Sequence, residues 1–139
     1  MFITKRGAHM QIHESAENYL EAILIIKKRQ SYVRSIDVAN ELKVSKPSVS
    51  VAMKNLRLNG YINVNIDGHI TLTEAGQKIA DDIFERHTLL TRWFIALGVD
   101  PEIAAQDACK IEHVLSPETF EAFNQHAHNV GNIPAKTDN

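Results

Sequence analysis

The chain has little of what usually marks a specialised architecture. Its 139 residues include one cysteine, Cys109, four prolines, six glycines and only 6% aromatics. A single thiol excludes an internal disulfide framework. So few Pro and Gly exclude a collagen-like fibre or a low-complexity chain. No apolar run approaches the roughly 18 residues of a membrane-spanning helix, and Met1 to Arg6 lacks the apolar stretch of a signal peptide. The expectation is a soluble, cytoplasmic protein with no membrane partner. There is also no internal repeat, no Gly-rich phosphate loop, no nucleophile elbow and no His-Glu-x-x-His pair. A zinc hydrolase using Glu112 as general base would need such a histidine pair and an open metal position, so catalysis on a small-molecule substrate is not expected. A metal-storage or purely protein-binding role remains a separate alternative, distinguished by whether the chain shifts random DNA.

What remains is ordinary globular composition, 44% apolar and 23% charged, sized for one compact domain or two small ones. The net charge of −2 hides an uneven distribution. Lys27, Lys28, Arg29, Arg34, Lys43, Lys46, Lys54 and Arg57 face only Asp37 and Glu41 within residues 27–57, whereas residues 58–139 hold five basic and twelve acidic side chains. A basic stretch inside an acidic chain points to an anionic partner for that stretch, against the plainer reading of a solvated basic surface.

The hydrophobic period organises the chain. Ala16, Leu20, Ile23, Leu24 and Ile26 recur at three- and four-residue steps, which predicts an amphipathic helix between Glu14 and Lys28. The first ten residues receive no role in the fold. Ser35 reads as the N-cap of a short helix to Leu42 that turns Ile36, Ala39 and Leu42 inward. Ser45 caps a third helix from about Lys46 to Asn59, with Pro47 in its first turn and Gly60 after its end.

The period then changes to two. Tyr61 to Ile66 and Ile70 to Leu72 predict two short strands, joined through Asp67-Gly68, a pair suited to positive φ. Thr73 and Glu74 open a long helix to about Leu97, with Ile79, Ile83, Leu90, Trp93, Phe94 and Leu97 near its buried stripe. Helices from Pro101 to about Leu115 and from Pro117 to about His128 follow. The domains expected are 11–73, 74–130, and a disordered polar tail, 131–139.

Helix, short helix, tight turn, helix and two-stranded wing in this order describe a winged helix-turn-helix. The second helix of such a pair enters the DNA major groove, a channel about 12 Å wide. On the third helix Val49, Ala52, Met53 and Leu56 are expected to face the core, leaving Ser45, Lys46, Pro47, Ser48, Ser50, Val51 and Lys54 to face double-stranded DNA. Serine hydroxyls and lysines suit phosphates, and Pro47 or Val51 suits thymine methyl groups.

A second constellation follows. Cys109, Glu112 and His113 stand at i, i+3 and i+4, which predicts a thiol, a carboxylate and an imidazole on one helical face, a donor mixture suited to a divalent transition metal. Three side chains are an incomplete site, and Glu21, Asn18 and His87 are the candidates to complete it. His87 lies by the apolar stripe of the long helix, where it needs a partner. Taken singly, His87 reads as a structural histidine and Cys109 as a small core residue. His9, His13, His69, His126 and His128 lack partners at ligand spacing.

From Ser15 to about Ser116 these segments resemble, in order, the diphtheria toxin repressor family of metal-dependent bacterial transcription regulators. The segments are Glu17-Asn18-Tyr19-Leu20-Glu21, Ser45-Lys46-Pro47-Ser48-Val49-Ser50, Leu72-Thr73-Glu74-Ala75-Gly76, Glu85-Arg86-His87 and Cys109 to Ser116. The resemblance implies a mainly α fold, a winged helix-turn-helix followed by an all-helical dimerisation domain. The length is similar to the short manganese transport regulator branch, without the SH3-like domain of longer members. It further implies a homodimeric repressor of metal-uptake genes that binds a DNA operator with Fe2+ or Mn2+ as corepressor, with Co2+, Ni2+ or Zn2+ able to substitute in vitro. The family's metal positions fall on Asn18, Glu21, His87, Cys109, Glu112 and His113.

The match departs from both branches. The manganese branch usually carries an aspartate at the place of Asn18 and a glutamate at that of Cys109. The iron branch carries a cysteine at the latter, usually with a methionine at the former. Thr91 and Ala105 stand where the iron branch's ancillary site has its Glu and His. Fe2+ and Mn2+ both stay open, with the Cys109 sulfur favouring the softer ion. A cation shared by Glu21 and the later ligands would hold the reading unit at a set pose. The alternative is a metal-independent winged-helix regulator that binds DNA whatever the metal supply.

Overall fold

The computed structural model describes residues 2–130, with side chains from 14 to 128. The expected tail, 131–139, lies outside the described residues. The chain divides into two compact units between Asp82 and Ile83. Six helices and one hairpin follow the predicted order: α1 (Phe2–Arg29), α2 (Ser35–Leu42), α3 (Lys46–Leu58), β1 (Ile62–Val64), β2 (Ile70–Leu72), α4 (Glu74–Ala96), α5 (Pro101–Ile111) and α6 (Pro117–Val130).

In the N-terminal unit α1 packs against α2, α3 and β2. Its buried stripe is Leu20, Ile23, Leu24 and Ile26, as the period requires, while Ala16 is only half buried. The helix begins at Phe2, so residues 2–10 extend it instead of standing outside the fold. The cap of α2 also differs from expectation. Arg34 holds the cap position, its backbone N–H donating to Asp37 Oδ2 at 2.9 Å, and Ser35 is the first helical residue. The inward face shifts accordingly. Val38 and Ala39 are buried, Leu42 is half buried and Ile36 is 41% exposed. In an eight-residue helix, contacts with α1 and α3 override what two turns of periodicity can indicate. Lys43 then adopts a left-handed conformation, φ 55°, and the chain turns into α3 within three residues.

The wing is antiparallel, pairing Ile62 with Leu72, Asn63 with Thr71 and Val64 with Ile70. The Asp67-Gly68 pair lies in a loop longer than two residues. Only Gly68 has positive φ, +80°. Gly68 N–H donates to Asn65 C=O at 3.0 Å, and Asn65 N–H donates to His69 C=O at 3.1 Å. This is a three-residue loop, a turn followed by one left-handed glycine. Asn65 Oδ1 adds a clamp, accepting from Asp67 N–H at 3.0 Å and His69 N–H at 2.9 Å. On its other edge β2 meets the α1–α2 connection, where Ile70 N–H donates to Val33 C=O at 2.7 Å.

Thr73 starts α4 by accepting from Gly76 N–H at 3.2 Å. A Cβ at Gly76 would stand 2.0 Å from the Tyr61 carbonyl oxygen, which explains a glycine in the first turn of a helix.

In the C-terminal unit Ile83, Leu90, Ala104, Ala108 and Ala127 are buried. Trp93 packs edge-on against Phe123, with ring centroids 4.7 Å apart. Leu97, assigned to the stripe of α4 by period, is 67% exposed one residue past the end of the helix. Asp100 caps α5, accepting from Glu102 N–H at 3.1 Å. That helix stops at Ile111, short of the predicted Leu115, and a turn over 112–115 leads to the Ser116 cap of α6.

Candidate functional site

The nucleic-acid face is set by α3. Ser45 caps it, its hydroxyl oxygen accepting from Ser48 N–H at 3.2 Å while its O–H donates to Ser48 Oγ at 2.8 Å. Pro47 occupies the first turn without losing a helical hydrogen bond. Val49, Met53 and Leu56 are buried and Ala52 is half buried. Ser45, Lys46, Pro47, Ser48, Ser50, Val51 and Lys54 are all exposed, with Val51 at 61%. The exposed face therefore carries two ammonium groups, three hydroxyls and two apolar contacts at the positive end of a helix dipole, with no carboxylate among them. These groups match phosphate oxygens and base edges.

Sequence spacing did not single out the cluster beside the wing. Tyr32 and His69 stack with centroids 4.2 Å apart, and the Arg34 Nη2 lies 3.2 Å from His69 Nε2. The tertiary fold brings residues 35 positions apart together here, beyond the reach of helical spacing.

The candidate metal ligands fall in both units. Asn18 and Glu21 lie on α1, where Glu21 is 6% exposed and Asn18 half buried. The others belong to the C-terminal unit, where His87 on α4 meets Glu112 after α5. His87 Nδ1 lies 2.9 Å from Glu112 Oε2, and His113 Nε2 lies 3.2 Å from Glu112 Oε1. The Glu112 side chain is 0% exposed, that of His113 1% and that of His87 26%. Two imidazole nitrogens and two carboxylate oxygens thus converge on one buried spot.

Burying a carboxylate is costly unless positive charge or strong donors compensate it. Here the His87 N–H can donate to Oε2, while His113 Nε2 stands close to Oε1 without the geometry of a hydrogen bond, and both ring nitrogens are lone-pair donors once deprotonated. The mixture of N and O donors fits a divalent transition ion. Glu112 keeps a right-handed helical conformation at the end of α5, its N–H donating to the Ala108 carbonyl at 3.0 Å, so the step from Cys109 to Glu112 stays helical, with Cys109 exposed and Glu112 buried.

The turn also uses a residue that the sequence reading quoted without assigning a role. Arg86 Nη1 donates to the Glu112 carbonyl at 3.0 Å and to the Leu115 carbonyl at 2.6 Å, with its guanidinium 5.1 Å from the centre of the Phe120 ring. Its position next to His87 is the only signal the sequence offers.

With this geometry in hand, comparison with known proteins gives a consistent result. Residues 11–70 match the family described as iron dependent repressor, N-terminal DNA binding domain, and residues 73–136 match iron dependent repressor, metal binding and dimerisation domain. The transcriptional regulator MntR of Escherichia coli O6:H1 is 36% identical over 118 residues, covering 85% of this chain and 75% of that protein. An uncharacterised HTH-type transcriptional regulator of Methanocaldococcus jannaschii is 36% identical over 110 residues, covering 78% of this chain and 88% of that protein. A solved manganese-dependent transcriptional repressor in complex with manganese shares the fold with a TM-score of 0.75 and 24% identity, over 81% of this chain. The chain spans about half the length of such solved chains, 52% in that case. Among the described residues no helix is long and apolar enough to cross a membrane.

Proposed function

The chain belongs to the iron-dependent repressor family, the diphtheria toxin repressor family of its motifs, and from that premise we propose a homodimeric repressor of metal-uptake genes that binds a double-stranded DNA operator with Fe2+ or Mn2+ as corepressor. The observation that carries the proposal is the wholly buried Glu112 carboxylate between the His87 and His113 imidazoles, in a chain that also presents a basic, exposed recognition helix. The proposal extends to a cytoplasmic, non-enzymatic protein with no small-molecule substrate. It reads through 11–73 and binds metal and dimerises through 74–130.

His87, Glu112 and His113 would hold the ion, joined by Glu21 and Cys109, while Asn18 offers only a neutral carbonyl oxygen. When bound, the divalent cation supplies positive charge that offsets the Glu21 and Glu112 carboxylates and the Cys109 thiolate. For this, His87 and His113 present lone pairs and Cys109 gives up its thiol proton. Glu21 stands on the helix that packs against α2 and α3, so engaging its carboxylate bears on how the recognition helix is presented. In a two-fold dimer, that presentation sets the separation of two such helices against half-sites about one helical turn apart.

The test is equilibrium anisotropy on DNA from the protein's own promoter region, kept anaerobic so that Cys109 stays reduced. Saturating Mn2+ or Fe2+ should tighten operator binding by roughly 5- to 150-fold over chelator, the range of typical coupling energies. By reciprocity, operator DNA should tighten metal binding by the same factor. Equal affinity with metal and with chelator would leave the metal-independent regulator as the better reading.

A further inference from the structure

We infer that Arg86 is a positioning residue for the metal-binding turn, holding the backbone that presents Glu112 and His113 without itself being a ligand. The inference rests on the proposed metal site and concerns how that site is kept in shape. A turn that follows a helix end has carbonyls without helical partners, and it moves unless something holds them. Here one nitrogen of one side chain holds both ends, donating to the carbonyls of Glu112 and Leu115 at 3.0 and 2.6 Å. The two residues bracket His113, so the hold fixes the stretch from which both a carboxylate and an imidazole project.

Three features make this a built clasp. A guanidinium stays charged at every relevant pH, so its grip does not depend on protonation. The Phe120 ring lies 5.1 Å from the guanidinium carbon, limiting its swing. Arg86 precedes His87 on α4, so one helical segment carries both a candidate ligand and the anchor for two others. Groups that orient metal ligands from behind typically alter affinity by about 10- to 100-fold when removed.

The experiment is anaerobic Co2+ titration of the full chain, reading the ligand-field absorption band and the affinity by competition with a chelator. Arg86→Met keeps an unbranched chain against Phe120 and removes every donor. It should lower Co2+ affinity by about 10- to 100-fold and shift or broaden the band. Arg86→Lys keeps the charge on a shorter side chain without the planar guanidinium, so its ammonium reaches the two carbonyls less well, and it should fall between the wild type and Arg86→Met. Wild-type affinity and an unchanged band in Arg86→Met, whatever its melting temperature, would reduce Arg86 to a structural residue and overturn the inference. Should Arg86→Met not fold, wild-type affinity and an unchanged band in Arg86→Lys overturn it equally. His113→Ala separates the two levels. If it binds Co2+ as the wild type does, the metal site itself is wrong; if it loses the band while Arg86→Met keeps it, only the clasp is wrong.

Discussion

In the N-terminal unit the residues proposed to meet DNA stand in water on α3, backed by Val49, Met53 and Leu56, whereas in the C-terminal unit Glu112 and His113, proposed to meet metal, have side chains withdrawn from it. The difference follows from the partners. A phosphate backbone is bound through several solvated, individually weak contacts that salt screens. A small cation needs a few donor atoms converging at short range in a dry, fixed frame, where losing one donor disables the rest. One unit should therefore respond to substitution in small, salt-dependent steps, and the other nearly all at once.

The largest expected effect tests the withdrawn side. His113→Ala removes one of the two imidazoles on Glu112, and metal-stimulated operator binding should disappear, while circular dichroism of the metal-free protein stays close to wild type. Collapse of the helical signal would instead make His113 a structural core residue and erase the contrast.

Effects on the exposed side should be smaller. Ser45→Ala deletes the cap of α3 and should cost about 1 kcal/mol in urea unfolding, with operator affinity falling in metal and in chelator alike. A loss confined to the metal-loaded protein would mean that the units do not divide the labour as described. Smallest of all, Lys54→Ala should weaken binding to every DNA sequence by a similar factor and flatten the slope of log affinity against log salt by about 0.9. An unchanged slope would remove Lys54 from the phosphate contacts.

Much of the reading unit was legible because its signals are local. The Ser45 cap, Pro47, the inward spacing of Val49, Met53 and Leu56, and the alternation across the wing each lie within a few residues. The errors arose where local signals compete with packing. Ile36 lost its inward place to Val38, and Leu97 proved exposed. The metal cluster was legible only in part. The i, i+3, i+4 spacing pointed to Glu112 and His113, which meet in the structure, while the exposure of Cys109 depends on packing that spacing does not report. The need of His87 for a partner was readable, while its meeting with Glu112, 25 residues away, belongs to tertiary structure. The double grip of Arg86 on two carbonyls has no sequence signature, because backbone acceptors look the same at every position.

The bond from Ile70 to the Val33 carbonyl has a consequence for handling the protein at high concentration. A two-stranded hairpin has two open rims, either of which can recruit a stray strand from another molecule. The chain's own connection takes one donor of the β2 rim, and β1 and β2 are each only three residues long. So short a template gives a foreign strand little to zip onto, which guards a protein that must crowd onto DNA against sticking to itself.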